Sequence, residues 1–192
     1  MHQASLFAPT PQRFIADGEG GVRYLPGVLG AEEAARLFDS LLAHADWSAH
    51  TRMMYERLVD VPRRIASYRL DRDRLPPLLA TTAQRVGARL GVAFNSVGLN
   101  LYRDGADSVA LHNDKLHDLI AGQPIAVLSL GATRRMLLRA KRPPHRQWQV
   151  ELEPGSLLVM SHASQRHYDH GIPKAPGVAE ARISLAFRVR PG

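Results

Sequence analysis

A histidine and an aspartate two residues apart are the first sign of chemistry in this chain. His112 and Asp114 stand at the end of residues 95–114, a stretch rich in alternating apolar and polar side chains. In a β-strand this spacing places an imidazole and a carboxylate on the same face. With one distant histidine, such a pair forms the 2-His-1-carboxylate triad that binds Fe(II) and leaves coordination positions open. The spacing therefore predicts a non-haem iron site.

The third ligand has three downstream candidates, which are His162, His167 and His170. The last two lie three residues apart, so spacing alone does not choose between them. Because the chain contains no cysteine, any metal must be held by His, Asp or Glu.

Two further segments predict a pocket for an anion. In residues 182–188, Arg182 and Arg188 share a face with small residues, while the apolar residues occupy the other face. Two arginines on one face indicate an anionic ligand inside the fold. Asn100 and Tyr102 also share a face and would add an amide and a phenol to that cavity, unless they are ordinary polar residues of the exterior.

The elements that must position these residues follow two periodicities. Helices are predicted over Ala31–His44 and Pro76–Leu90. From Phe94 onward the period is two, which predicts seven short strands: Ser96–Tyr102, Val109–Asp114, Ile125–Leu130, Met136–Arg139, Gln147–Leu152, Ser156–Met160 and Arg182–Val189. This order indicates an α+β fold in which the helices pack outside a double-sheet roll or barrel.

The length of 192 residues predicts one domain, over residues 22–192, after an extended or loosely packed lead-in at residues 1–21. No apolar run approaches the roughly 20 residues needed to span a bilayer. The first residues lack a basic segment followed by an apolar one. These features predict a cytoplasmic protein that does not enter a membrane.

The charge balance suggests a polyanionic partner. Lys plus Arg exceed Asp plus Glu by 25 − 18 = 7. Residues 47–74 contain seven arginines interleaved with tyrosine and methionine, which suits a substrate-recognition segment that follows phosphates and stacks on bases. The alternative is a solvated surface of short strands and turns. The run Arg134–Arg146 is either a second phosphate-binding surface or a solvated hairpin.

Five blocks, in this order, resemble the AlkB-like Fe(II)- and 2-oxoglutarate-dependent dioxygenases: residues 100–114, 124–134, 155–160, 170–173 and 182–188. The resemblance implies a double-stranded β-helix (jelly-roll) with flanking N-terminal helices. It also implies three cofactors and cosubstrates, namely Fe(II), 2-oxoglutarate and O₂.

The family pattern also assigns site residues. The implied metal ligands are His112, Asp114 and His170, and His170 is preferred to His167 because it precedes a Gly-Ile-Pro turn. Asn100, Tyr102 and Arg182 match the positions that hold the distal carboxylate of 2-oxoglutarate. Arg188 matches a second arginine near the metal-bound end of the cosubstrate.

The implied activity is oxidative demethylation of N-alkylated bases in DNA or RNA. Decarboxylation of 2-oxoglutarate to succinate and CO₂ accompanies hydroxylation of an N-methyl group, which then leaves as formaldehyde. The expected partner is alkylated DNA or RNA, and no obligate protein partner is evident. The substrate contacts implied or suggested by position are Tyr55, Arg63, Tyr68 and His117.

Two departures from the family keep alternatives open. The nucleic-acid-repairing members typically carry acids after the metal-binding aspartate, where this chain has Lys115, Leu116 and His117. Residues 69–76 replace a glycine-rich continuation of the recognition segment. Both favour a related dioxygenase acting on a protein side chain or small molecule. A non-catalytic nucleic-acid-binding relative is the other alternative, against which the intact ligand and arginine set speaks.

Overall fold

The described part of the chain consists of two antiparallel sheets and three α-helices. In the computed structural model it comprises residues 10–54 and 57–192, and within residues 50–62 only the backbone is described. The helices are α1 (Ala31–His44), α2 (Leu79–Leu90) and α3 (Ser164–His167). The strands are β1 (Gln12–Ile15), β2 (Val22–Leu25), β3 (Ser48–Met54), β4 (Arg57–Arg69), β5 (Ser96–Tyr102), β6 (Val109–His112), β7 (Ile125–Gly131), β8 (Arg134–Ala140), β9 (Gln147–Leu152), β10 (Leu157–Met160), β11 (Tyr168–Ile172) and β12 (Arg182–Arg188).

The strands form one large sheet and one small sheet. The large sheet has eight strands in the order β1-β2-β10-β7-β12-β5-β4-β3, and the small sheet has four in the order β6-β11-β8-β9. Alternate residues of the large sheet enter two apolar cores. Leu99, Leu128 and Leu185 pack with the helices, whereas Val127 and Ala186 pack with residues of the small sheet. The cavity of the molecule therefore lies between the two sheets.

The helices cover the outer face of the large sheet much as their periodicity predicts. Helix α1 has the predicted bounds, and it buries Leu37 and Leu41 while Leu42 is 44% exposed. Helix α2 begins at Leu79 rather than at Pro76. The preceding Leu78 has a φ of 67°, a left-handed conformation that separates the prolines from the helix. Gly91 ends α2 in the same conformation, as a C-terminal glycine commonly does.

Two paired strands, β3 and β4, account for most of the predicted recognition segment at residues 47–74. Strands β3 and β4 pair at the edge of the large sheet. Pairing shifts register between Asp60 and Arg64, and Pro62 lies in this shifted stretch. Proline lacks the N–H that a regular ladder needs and is tolerated at such an irregularity. Ala66 and Tyr68 of β4 are buried, but the many charged residues around them hide this alternation in the sequence.

The lead-in predicted at residues 1–21 contributes to the fold from Gln12 onward. Strand β1 pairs with β2, and Ile15 is buried in the core between the sheets. Asp17 then accepts hydrogen bonds from the backbone N–H of Glu19 and Gly21 and from the hydroxyl of Ser161. The turn is thereby fastened to the segment that leads into α3. Residues 1–9 lie outside the described part of the chain.

Strand β11 was not predicted, because its five residues contain a glycine and several polar side chains. It pairs with β6 on one side and β8 on the other. Its Gly171 allows close approach to β6, since a Cβ at this position would lie 2.9 Å from the carbonyl oxygen of Val109 and 3.0 Å from backbone atoms of Ala110 and Leu111. The missing side chain therefore sets the spacing between two strands that carry candidate ligands.

Within residues 10–54 and 57–192, no helix is both long enough and apolar enough to cross a membrane.

We expect Gly171→Ala to destabilise the fold by about 1–3 kcal/mol, because the added methyl group must displace the backbone of β6. Chemical denaturation of the metal-free protein measures this change. The matched control is Gly18→Ala, since a Cβ at Gly18 meets nothing within 4 Å. Equal stability of the two variants would contradict the role given to Gly171.

Candidate functional site

A cavity between the two sheets gathers most of the residues singled out in the sequence. Its polar lining comes from β4, β5, β6, β11 and β12, and its apolar lining includes Val127, Met136 and Met160. The polar side chains are Arg63, Asn100, Tyr102, His112, His170, Arg182, Ser184 and Arg188. The alternation predicted for β5 and β12 is therefore confirmed, and Asn100 and Tyr102 are not exterior residues.

His112, Asp114 and His170 converge at one end of this cavity. Each offers one ligand atom, and these atoms lie within 4.8 Å of one another. His112 and His170 are direct partners in the β6–β11 ladder, with ring centroids 4.5 Å apart. Nδ1 of His112 lies 2.9 Å from the carbonyl oxygen of Ala110, a contact that suits an Nδ1–H donor and leaves Nε2 free to coordinate.

The surroundings of His170 suit a metal ligand. Its side chain is buried, and this burial, assisted by His112, lowers the pKa of the imidazole to about 3. The ring is therefore neutral at physiological pH and offers a lone pair. His162 is buried outside this group of ligand atoms, whereas His167 is exposed at the end of α3. Of the three candidate histidines, His170 is therefore the one that lies beside His112 and Asp114, as the family pattern implies.

Asp114 lies just beyond the end of β6 rather than within the strand, so its alignment with His112 does not come from strand geometry as predicted. Its carboxylate accepts two hydrogen bonds from Arg188, of 2.8 Å from Nε and 3.0 Å from Nη2. Burial alone would raise the pKa of Asp114, but the charge and the hydrogen bonds of Arg188 outweigh it, so the pKa is lowered. The carboxylate is consequently charged and oriented.

Arg182 forms the other end of the cavity and is 1% exposed. Its Nη2 donates to the hydroxyl of Ser129 at 3.0 Å, and its guanidinium carbon lies 5.2 Å from the centre of the Tyr102 ring. Its Nε and Nη1 are buried without a hydrogen-bond partner among the described residues. Burial lowers the pKa of Arg182, yet a guanidinium remains charged in proteins.

These two ends fit the groups that the sequence predicted. Two imidazoles and one carboxylate are the donor set of the non-haem Fe(II) triad. A buried guanidinium whose Nε and Nη1 have no hydrogen-bond partner among the described residues lacks an anion, and a carboxylate is an acceptor that suits it. The residues present therefore fit a metal ion at one end and a carboxylate at the other.

The comparisons with known proteins agree with this geometry. The family model described as "2OG-Fe(II) oxygenase superfamily" matches residues 21–188. The chain belongs to this superfamily. The predicted family and the predicted jelly-roll fold are thereby confirmed. The description of the family also names the predicted Fe(II) and 2-oxoglutarate.

Individual relatives are more specific. The chain is 32% identical to human "Alpha-ketoglutarate-dependent dioxygenase alkB homolog 3" over 190 residues, which cover 89% of this chain and 66% of the relative. It is 37% identical to bovine "DNA oxidative demethylase ALKBH2" over 119 residues, which cover 58% of this chain and 43% of the relative. The chain therefore spans just under two thirds of the length of alkB homolog 3.

Among solved structures, "The structure of OsALKBH1" superposes with a TM-score of 0.65 at 16% identity and covers 88% of this chain and 97% of that one. An oxygenase of the 2OG-Fe(II) family from Burkholderia pseudomallei superposes with a TM-score of 0.54 at 20% identity, over 88% of this chain and 84% of that one. At these identities the likeness establishes the fold.

The four residues predicted to contact substrate have different positions in this oxygenase fold. Arg63 lines the cavity, and its Nε donates to Oδ1 of Asn100 at 2.7 Å. Tyr68 is 5% exposed and its hydroxyl contacts Asp46, a position that argues against substrate contact. His117 is exposed beside Asp118. Tyr55 lies outside the described residues.

The arginine-rich run Arg134–Arg146, for which a phosphate-binding surface and a solvated hairpin were the alternatives, has arginines in several different environments. Arg134 is 2% exposed and donates to the backbone carbonyls of Asp104, Asp107 and Pro173. Others are paired with acids, as Arg135 is with Glu151. Arg142 and Arg146 remain exposed. Sequence reasoning also missed Ser129 as the partner of Arg182, although its alternation within β7 places it opposite Ser184 in the ladder.

We expect 2-oxoglutarate to stabilise the wild-type protein against heat, and Arg182→Met to remove most of that stabilisation. A ligand at 100 times its Kd adds about 2.7 kcal/mol, whereas a cavity without the guanidinium binds the distal carboxylate weakly. Thermal denaturation with and without 2-oxoglutarate measures the shift in Tm. Without ligand, Arg182→Met should be at least as stable as wild type, because an unpaired buried charge is gone.

The matched control for this experiment is Arg135→Met, which removes an arginine that is 53% exposed in a surface ion pair. This variant should keep the full stabilisation by 2-oxoglutarate. An undiminished shift in Arg182→Met would show that the carboxylate binds elsewhere.

Proposed function

We propose that this protein catalyses Fe(II)- and 2-oxoglutarate-dependent oxidative demethylation of N-alkylated bases in DNA or RNA, releasing formaldehyde, succinate and CO₂. The observation that carries the proposal is one cavity with His112, Asp114 and His170 at one end and the unpaired Arg182 at the other. A metal triad alone would suit several chemistries. A buried cation facing the same cavity selects an anionic cosubstrate.

The proposed metal ligands are His112, Asp114 and His170. When bound, the iron supplies the oxidation of a substrate C–H bond, coupled to decarboxylation of 2-oxoglutarate. The chain would contribute two imidazoles and one carboxylate as ligands. Arg188 keeps the Asp114 carboxylate charged and fixed in orientation through two hydrogen bonds.

The proposed cosubstrate contacts are Arg182, Tyr102, Asn100 and Arg188. Arg182 has guanidinium nitrogens without a hydrogen-bond partner among the described residues and would donate to the distal carboxylate, and Tyr102 packs against its guanidinium. Because Oδ1 of Asn100 accepts a hydrogen bond from Arg63, its amide N–H groups are left to donate into the cavity. Arg188 lies at the metal end, where Asp114 engages it.

The substrate class rests on the relatives and on charge. ALKBH2 is named a DNA oxidative demethylase, and both sets of curated relatives are AlkB homologues. This chain has a net charge of +7, which favours a polyanion. Among the predicted substrate contacts that the structure describes, Arg63 is the one that lines the cavity, and it lies within β4 of the β3–β4 hairpin. We place it beside the target nucleotide.

We further propose one catalytic domain and a cytoplasmic location. The family model and the two cores connect elements from β2 to β12 without an internal boundary. A ferrous site functions best in a reducing compartment that also supplies 2-oxoglutarate.

The direct test is a turnover screen over N-methylated DNA and RNA oligonucleotides, each single-stranded and duplex. Succinate and formaldehyde should form together, and only methylated oligonucleotides should yield formaldehyde. Unmethylated oligonucleotides of the same sequence are the controls. If no methylated nucleic acid stimulates succinate formation by protein that binds Fe(II) and 2-oxoglutarate, the proposed substrate class is wrong.

We expect His170→Ala to lower turnover by at least about 100-fold, because loss of a ligand removes the iron. His167→Ala should retain most of the activity, since His167 is exposed and outside the triad. Succinate formation under saturating Fe(II) measures both variants. The opposite order of activities would assign the third ligand to His167.

A further inference from the structure

The position of Asp114 requires an explanation, because β6 ends at His112 and no ladder hydrogen bond fixes the residues beyond it. Three contacts hold the backbone and side chain of this aspartate. Its N–H donates to Oε1 of Gln165 at 3.0 Å, its carbonyl accepts from Nδ2 of Asn113 at 2.9 Å, and its carboxylate is held by Arg188. Two of these contacts come from distant segments, and the third comes from the neighbouring residue.

Lys141 connects two of these supporting residues. Its Nζ donates to Oδ1 of Asn113 at 2.7 Å and to the backbone carbonyl of Gln165 at 2.8 Å. Its own backbone N–H donates to the carbonyl of His167 at 2.9 Å. One residue after β8 is therefore bonded to the ligand segment and to α3 at the same time.

The supporting side chains have fixed orientations. Gln165 is 1% exposed, and its Nε2 donates to the hydroxyl of Ser164 at 3.1 Å, which leaves Oε1 to accept from Asp114. Oδ1 of Asn113 accepts from Lys141, which leaves Nδ2 to donate to Asp114. Donors and acceptors alternate through the network, so each contact determines the next.

We propose that Lys141 is a positioning residue for the metal centre, and that it holds Asp114 in place through Asn113 and Gln165 without touching the metal. This inference rests on the ligand set given under Proposed function. Because β11 follows α3 directly, the same ammonium also ties the Asp114 segment to the strand that carries His170.

The sign of the effect separates positioning from charge. A lysine ammonium near a metal site repels a cation, so its removal should strengthen metal binding if charge alone matters. Removal of a positioning residue should weaken metal binding, and outer-shell partners of metal ligands are typically worth 10–100-fold in affinity. The two explanations predict opposite changes.

The experiment titrates the metal-free protein with Co(II), whose visible absorption reports the coordination of the bound ion. We expect Lys141→Met to raise the Kd for Co(II) by about 10–100-fold. Arg142→Met should stay within about twofold of wild type, because Arg142 is exposed in the same hairpin and takes no part in the network. Circular dichroism confirms that each variant is folded.

A double-mutant cycle then tests the route. Asn113→Ala removes one of the two groups that accept a hydrogen bond from the Lys141 ammonium. If Lys141→Met does not fold, the Kd of Asn113→Ala for Co(II) tests the network in its place. If the two residues act together, the Kd of the double variant for Co(II) should equal about that of the single variant that binds more weakly. If they act independently, the two increases in Kd should multiply.

Each outcome bears on one proposal. Failure of wild type to bind Co(II), or binding that survives Asp114→Ala and His170→Ala, would overturn the proposed ligand set. If wild type binds Co(II) and Lys141→Met binds it as tightly or more tightly, the positioning role alone is overturned. Multiplicative loss in the double variant would overturn the route through Asn113. Weakened binding with a non-additive cycle supports the proposal.

Discussion

The arrangement of the cavity depends on a guanidinium buried in the middle of a sheet. Arg182 is 1% exposed, and its guanidinium contacts the hydroxyl of Ser129 and Tyr102 but no described acid. Removing such a charge from water costs several kcal/mol, and a hydroxyl offsets little of it. The sheet tolerates the charge because β12 is paired on both sides, with β5 and β7, so the backbone cannot relax to expose the side chain. The fold thus keeps a strong carboxylate-binding group ready at some expense in stability.

Strand β12 distributes charge between the two ends of the cavity. Arg188, at its other end, is neutralised by Asp114, whereas Arg182 is not neutralised by any described acid. This difference determines what each arginine can do. Arg188 orients the carboxylate of a candidate metal ligand, and Arg182 is not paired with any described acid. The same residue type therefore has two roles, set by whether an acid lies within reach.

The sequence predicted those parts of the structure in which a residue's environment follows from its neighbours in the chain. Alternation in β5 and β12 placed Asn100, Tyr102, Arg182 and Arg188 in one cavity, because a buried strand must send successive side chains to opposite faces. The bounds of α1 followed in the same way. The strand over residues 57–69 could not be predicted in this way, because its charged residues obscured the alternation of Ala66 and Tyr68.

The choice of His170 over His167 came from the family pattern, since it depends on the pairing of β11 with β6, a contact between segments about 60 residues apart. The support of Asp114 by Lys141 and Gln165 was equally inaccessible, because no local pattern indicates which distant carbonyl a lysine will reach.

The candidate ligands are consequently held by two different kinds of constraint. His112 and His170 face each other through ladder register, and the absence of a side chain at Gly171 lets their strands approach closely. Register changes only in whole residues, and a slip of one residue would turn a histidine to the opposite face, so the two imidazoles are either correctly placed or absent from the site. Asp114 lies beyond the ladder, and its position can vary continuously with the side chains that hold it. The carboxylate is therefore the adjustable member of the three candidate ligands, and its position depends on the residues around it.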